Sequence, residues 1–380
     1  MVAIDSYAGG DGRMSPLSTP SATRAVLEAH GIGTKYTLGQ NFLVNDDVLK
    51  KIIALAEVGE NDRILEVGPG IGTLTIALLK HAAGVVAIER DPDLPAVLAD
   101  TLHPWREKFA LIEKDALDVT RDDIVAAMVE IGGDTGYPDR ASSAANETAQ
   151  WAVSQSEDCL SESGYPVAPP QEDLQLSLPS KLVANLPYAV AATVVLDYFE
   201  SFPFLDSATI MVQKEVADRM AAAVGTKNYG AYTVKLGLYA EPVGRFAVGP
   251  GNFFPPPRVD SAVIRLNRHV PLMADGAPAS PEVIAAAALM ADAAFTNRRK
   301  TIANSCKTYF SGRGPILLGV ADSSAAEGAP TIALPDGAAT AERLPAIFEA
   351  AAIDPRRRGE TLTQQEFLAL GAALLRVTAA

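Results

Sequence analysis

Ile64-Leu65-Glu66-Val67-Gly68-Pro69-Gly70-Ile71-Gly72-Thr73-Leu74-Thr75 reads as a buried strand, a glycine turn and the start of a helix. Glycines at such a turn let the backbone approach a ligand closely, and the following helix offers unpaired N–H groups. An ordinary tight strand–helix turn has the same glycines, so residues further along decide. Outward from this unit, short apolar runs at Arg63–Val67, Val85–Ile88, Phe109–Ile112, Lys181–Ala184 and Thr209–Val212 read as buried strands. Helical stretches at Thr73–Ala82, Leu94–Leu102, Asp122–Ile131 and Ala191–Phe199 lie between most of them. The alternation predicts an α/β fold with a parallel, doubly wound sheet.

Upstream, Val48, Leu49, Ile52, Ile53 and Leu55 recur at helical spacing from Asn45 to Ala56, behind an Asn/Asp cap. Residues 1–21, rich in Gly, Ser, Asp and Pro, read as a flexible N-terminal tail. Residues 22–267 are expected to form the α/β domain. Residues 268–380 are expected to form a smaller helical domain, from Pro281 to Phe310 and from Ala341 to Leu375. Two stretches interrupt this plan. One, about 131–178, is dominated by Gly, Pro, Ser, Asp and Gln, and residues 131–175 carry eight acidic side chains and one basic, half of the chain's net charge of −14. Its length and composition predict a disordered insertion. The other, about 311–340, is rich in Gly, Ala and Pro and reads as a flexible insertion.

With 380 residues, 48% hydrophobic and 21% charged, the chain can bury at least one full core. Its 46 acidic against 32 basic side chains, with a pI near 4.8, exclude a uniformly basic nucleic-acid coat, so any anion site is local. Cys159 and Cys306 lie far apart, and His30, His81, His103 and His269 lack HExxH spacing. Neither a disulfide framework nor a metal site is expected. No apolar run approaches the roughly 20 residues that span a bilayer, and Met1–Pro16 lacks the order of a signal peptide. A soluble protein of the reducing cytoplasm is the expectation.

Gly68, Gly70 and Gly72 make GxGxG, one residue shorter than the GxGxxG of dinucleotide enzymes. That shifts the expected cofactor from NAD to S-adenosyl-L-methionine. Glu89 closes the second strand about 20 residues after the turn, where an acid accepts both ribose hydroxyls. Asp115, ending the third strand, is placed to accept from the cofactor's adenine amine. After the fourth strand comes Asn185-Leu186-Pro187-Tyr188. An exocyclic adenine amine is a poor nucleophile because its lone pair is delocalised into the ring. The Asn185 side-chain oxygen and the Leu186 carbonyl can localise that pair, with Pro187 fixing the turn and Tyr188 stacking on the base. No strong general base is required, because the nitrogen's acidity rises as it is alkylated.

Gly39-Gln40-Asn41-Phe42-Leu43, the Val67–Thr75 turn, Asn185–Tyr188, Phe254-Pro255-Pro256-Pro257-Arg258-Val259-Asp260-Ser261-Ala262-Val263 and Phe295-Thr296-Asn297-Arg298-Arg299-Lys300-Thr301 follow one another in that order. From about Gly33 to Leu375, apart from the two insertions, the chain resembles the bacterial small-subunit (16S) rRNA adenine N6,N6-dimethyltransferases, the family whose loss gives kasugamycin resistance. The resemblance implies a Rossmann-like class I S-adenosylmethionine-dependent methyltransferase sheet with a small helical, rRNA-binding C-terminal domain. It implies that Asn41 and Leu43 belong to an arm closing over the cofactor. Gly68 with Gly70, Glu89 and Asp115 would contact the methionine, ribose and adenine parts, and Asn185 would lie between cofactor and target amine. Phe253 matches the aromatic that faces Tyr188 across the base. The implied substrate is two adjacent adenosines in the hairpin loop near the 3′ end of 16S rRNA, in the immature small subunit. Each receives two methyl groups, S-adenosyl-L-homocysteine is left, and the implied state is a monomer.

Arg298, Arg299 and Lys300, with Lys307, form a basic stretch on a predicted helix, and Arg356, Arg357 and Arg358 another in the helical tail. With Lys35 beside the arm and Arg258 after the triple proline, these are the candidate RNA contacts. Solvated helix faces are the competing explanation, and for Arg356–Arg358 the two stand about equal. The acidic insertion departs from the family pattern and is expected to project away from RNA. Three other readings stay open: a large-subunit rRNA adenine dimethyltransferase of the macrolide-resistance type, whose members usually carry isoleucine where Leu186 stands; a DNA adenine or small-molecule methyltransferase; and a ribosome-assembly factor with little turnover.

Overall fold

The computed structural model describes residues 12–33, 40–132, 178–319 and 331–379. Its strands, in chain order, are β1 (Phe42–Leu43), β2 (Arg63–Val67), β3 (Gly84–Ile88), β4 (Phe109–Ile112), β5 (Lys181–Asn185), β6 (Ser207–Gln213), β7 (Ala240–Val248), β8 (Phe253–Phe254), β9 (Ser261–Arg268), β10 (Pro315–Gly319) and β11 (Thr331–Asp336). Strands β2 to β6 run parallel. Their apolar runs, such as the buried Val85-Val86-Ala87-Ile88, suit a sheet covered on both faces.

Seven strands form the main sheet in the order β4-β3-β2-β5-β6-β9-β7. The chain winds outward from β2 to β4 and then crosses back to β5 beside β2. At such a switch point the connections leave in opposite directions and open a crevice at the carboxyl ends of the strands. The last two strands, β9 and β7, are antiparallel, so the sheet is mixed where the sequence predicts a parallel one. Strand β7 is an edge with mostly exposed side chains and a register shift after Pro242, which leaves little hydrophobic pattern to read.

The helix Asp46–Ala56 starts where predicted, with the Asn45 side chain accepting from the N–H groups of Asp47 and Val48. Residues 12–21, expected in the tail, are packed instead. Leu17 is 1% exposed, Asp46 Oδ1 accepts from the N–H groups of Met14 and Ser15 and the Ser18 hydroxyl, and Thr19 caps the helix Pro20–Ala29. Small polar residues that look disordered by composition here supply hydroxyls to turns and a cap. Residues 1–11 and the predicted insertion from 133 to 177 lie outside the described residues.

Four helices, Pro281–Phe295, Ile302–Phe310, Gly337–Ala350 and Gln364–Ala379, build the C-terminal core around Phe310, Ile347, Phe348, Phe367 and Leu374. Part of the stretch expected as a flexible insertion is an antiparallel strand pair, β10 with β11, that buries Leu318 and Leu334. Ile316 and Ile332 are only partly buried against the same core and most other positions are exposed, so composition alone hid it; residues 320–330 lie outside the described residues. The same core takes in Tyr229 and Val234, and the Tyr229 hydroxyl donates to the Leu362 carbonyl at 2.8 Å. The helical region is therefore anchored on the segment between β6 and β7.

Candidate active site

The crevice between β2 and β5 holds a cavity of about 480 Å³. Asn41, Leu43, Gly68, Gly70, Glu89, Asp115 and Asn185 all line it, as do Leu186, Pro187 and Tyr188. Residues scattered over 147 positions of sequence thus share one wall because each ends a neighbouring parallel strand or crosses above it.

Gly68 and Gly70 adopt φ of +71° and +61°, a conformation that favours glycine. A Cβ on Gly70 would stand 3.1 Å from the Phe42 ring, so the turn and the arm close on each other through the missing side chain. The arm is held at three further points. Gln40 Nε2 donates to Asp91 Oδ2 at 2.7 Å, the Asn41 carbonyl accepts from Asn185 Nδ2 at 3.2 Å, and β1 pairs with β8, Phe42 opposite Phe254 and Leu43 opposite Phe253.

Glu89 Oε1 accepts from the N–H groups of Arg90 and Asp91 at 3.0 and 2.9 Å, which aims the carboxylate at the cavity. Burial raises its pKa above the ordinary carboxylate value, partly offset by these backbone N–H groups. Asp115 accepts from Arg90 Nη1 at 2.8 Å and from the Leu117 N–H, and the guanidinium holds its pKa below the usual range. A carboxylate has about four acceptor positions, so Asp115 keeps capacity for a ligand.

At the end of β5, the bond to the Asn41 carbonyl fixes the Asn185 amide nitrogen and leaves its oxygen as the acceptor facing the cavity. Leu186 is 1% exposed; its side chain belongs to the core and its N–H donates to the Met211 carbonyl, so what it offers the site is backbone. The Tyr188 hydroxyl lies 2.5 Å from Ser261 Oγ, which fixes the ring at the rim, and burial raises its pKa. Phe253 is 3% exposed and is not among the residues that line the cavity; it pairs with Leu43 across β1 and β8 and belongs to the apolar core that also holds Val248.

Sequence reading passed over Glu66, Arg90, Gln213 and Ser261. Glu66, 1% exposed and lining the cavity, has an Oε2 with no hydrogen-bond partner, and burial pushes its pKa up to about 8. The signal was available: an acid inside an otherwise apolar strand, two residues before the glycine turn.

The basic stretches are neighbours rather than separate helical faces. Arg298–Lys300 occupies a turn, where the Asn297 N–H is taken by the Ser305 hydroxyl and Thr301 caps the next helix. Arg356–Arg358 also lies in a turn, between Pro355 and Gly359, and the Arg357 carbonyl accepts from the Ile302 N–H. Arg298 pairs with Glu360, Arg356 with Asp354 and Arg357 with Glu366. Arg258, Arg299, Lys300 and Arg358 are exposed, and among the described residues their side chains have no ion pair. Lys35 lies outside the described residues.

The model of the ribosomal RNA adenine dimethylase family matches residues 33–329. The ribosomal RNA small subunit methyltransferase A of Geobacillus sp. (strain WCH70) is 33% identical over 362 residues, covering 95% of this chain and 98% of that relative. Its counterpart from Corynebacterium jeikeium (strain K411) is 31% identical over 377 residues, covering 94% and 96%. Two solved structures share the fold at 20% identity: the 23S rRNA methyltransferase ErmE, with a TM-score of 0.50 over 88% of this chain and 99% of that one, and a dimethyladenosine transferase from Plasmodium falciparum, with 0.53 over 87% and 95%.

Proposed function

The chain belongs to the ribosomal RNA adenine dimethylase family and is an rRNA adenine dimethyltransferase; on that premise we propose that it adds four methyl groups, two to each N6 of two adjacent adenosines, in the 3′-terminal hairpin loop of 16S rRNA. The observation that carries this reading is the shared cavity. Glu89 and the glycine turn line it together with Asn185 and Tyr188, so a nucleoside-sized methyl donor and a base can meet within it.

The residues present fit S-adenosyl-L-methionine. Gly68 and Gly70 leave a backbone cradle that a Cβ would fill, Glu89 is aimed by backbone N–H groups, and Glu66, which lines the cavity, has an unpartnered oxygen. When bound, that cofactor supplies an electrophilic methyl group on a sulfonium. Glu89 would take the ribose hydroxyls and Asp115 the adenine amine. Asn185 Oδ1 and the Leu186 carbonyl accept from the target N6–H groups and aim its lone pair, and Tyr188 stacks on the base. The arm from Gln40 to Leu43 excludes water. As the N–C bond forms, the nitrogen's proton passes to solvent, and no side chain is needed as a strong base.

Arg299, Lys300, Arg358 and Arg258 supply phosphate contacts on the immature small subunit, and base insertion supplies selectivity. The protein acts as a monomer in the cytoplasm, and its loss confers kasugamycin resistance. The test is methyl transfer from labelled S-adenosylmethionine to small subunits from a strain lacking the endogenous enzyme, followed by nucleoside mass spectrometry. N6,N6-dimethyladenosine in the 3′-terminal hairpin is expected. Label confined to large-subunit RNA would assign the macrolide-resistance activity, and cofactor binding without label an assembly factor.

A further inference from the structure

Beyond Asn185, one more side chain at the ends of the strands faces the place a base must occupy. Gln213 ends β6 and lines the cavity. Register fixes its neighbours: Met211 lies beside Asn185, and Gln213 lies beside Ser261, the partner of the Tyr188 hydroxyl. Because side chains alternate along a strand, Asn185, Met211, Gln213 and Ser261 share one face of the sheet. Gln213 therefore sits in the same row as the amine acceptor and the residue that fixes the stacking tyrosine.

Its carboxamide is not used elsewhere. Gln213 holds the N-cap position of the helix Lys214–Met220, with φ −56° and ψ 141°, yet its side chain makes no capping bond. Among the described residues it has no hydrogen-bond partner. A half-buried amide that lines the cavity, with neither cap nor protein partner among the described residues, is free to bond a ligand there.

We propose that Gln213 is a base-reading residue, whose Nε2 donates to a ring nitrogen, N1 or N7, of the target adenine while Asn185 and Leu186 hold the N6 amine. This rests on adenosine being the substrate. The chemistry favours a ring nitrogen over the amine: N6 loses its hydrogens as methyl groups are added, whereas N1 and N7 remain acceptors throughout. A donor aimed at one of them holds the base in one position through both rounds of transfer. A contact to N6–H would be weakened by the first methylation and abolished by the second.

The test compares wild type, Gln213→Met and Gln213→Glu on small subunits reconstituted with adenosine, 1-deazaadenosine or 7-deazaadenosine at the target positions. Both variants are expected to lose about tenfold in kcat/KM on adenosine, with cofactor Kd within threefold of wild type. Gln213→Glu keeps size and polarity but removes the donor, so it guards against a loss caused by misfolding. Wild type is expected to lose about tenfold on one of the deaza substrates, and Gln213→Met nothing further on that same substrate. Equal loss by Gln213→Met on all three substrates, no loss on adenosine, or a rise in cofactor Kd beyond threefold would each overturn the assignment. Failure of wild type to methylate adenosine itself would instead overturn the reading beneath it.

Discussion

The cavity and the basic turn region follow opposite electrostatic rules. In the cavity, two of the three acids have no cation beside them: Glu66 is buried with an orphan oxygen and Glu89 is held by backbone N–H groups, while Asp115 is paired with Arg90. On the C-terminal surface, Arg298, Arg356 and Arg357 are already matched by Glu360, Asp354 and Glu366, and the cations left over stand beside them in the chain. A ligand completes the first region and must choose among the residues of the second. Motif position therefore identified cavity residues well, whereas a run of basic letters does not say which cations are available.

The largest effect expected is from Asn185→Ala. Loss of the amine acceptor should cost about 10³-fold in kcat at saturating cofactor, which single-turnover methylation checks. An unchanged kcat would remove the cavity's claim to the chemistry.

Next comes Glu66. Its pKa rises from 4.5 to about 8 on folding, so between those values the folded chain keeps a proton that the unfolded chain has lost. The contribution is fully present below pH 4.5 and is lost as pH rises through about 8. Glu66→Gln should flatten this decline, gaining on wild type by an amount on the order of a few kcal/mol between pH 5 and pH 8. Urea unfolding across that range reads it; parallel pH profiles for the two proteins would mean that the carboxyl is ionised in the fold.

Gly70→Ala should weaken cofactor binding by roughly tenfold to a hundredfold, because its φ of +61° penalises a side chain and the Cβ would press on Phe42. Fluorescence titration decides, and an unaltered Kd would detach the arm from the cofactor.

The smallest effects sharpen the contrast on the basic surface. Arg299→Ala and Lys300→Ala should each lower the salt slope of RNA binding by about one while leaving the melting temperature unchanged. Arg357→Ala, which strands Glu366, should lower the melting temperature by a few degrees. If the paired and unpaired arginines behave alike, the division between them has no energetic content.

Much of the α/β core was legible because buried parallel strands carry apolar runs that end at the site residues. The turn at Gly68–Gly72, Glu89, Asp115 and Asn185 all sit at or just beyond such ends, so locating the strands located residues that line the cavity. The strand pair β10 and β11 and strand β7 were not legible: each buries too few side chains to set up a period. Residues 12–21 misled in the other direction, since Ser15 and Ser18 are buried for their hydrogen bonds rather than their hydrophobicity. Gln213 carried no local signal; only the register of β6 against β5 and β9 gives it a place in the site.

The ribbon of β1 and β8 has a consequence in time as well as in space. Asn45 Nδ2 donates to Asn252 Oδ1 at 2.8 Å across 207 positions of sequence, and the Val44 N–H to the Asn252 carbonyl beside it. At roughly 5–20 residues per second of synthesis, the arm emerges from the ribosome about 10–40 s before its pairing strand. Throughout that interval the nascent chain carries the glycine turn without the closure that completes its cavity. The two halves of that ribbon can meet only once the chain has been made at least as far as Phe254, so this part of the cavity's surroundings is among the last to be assembled.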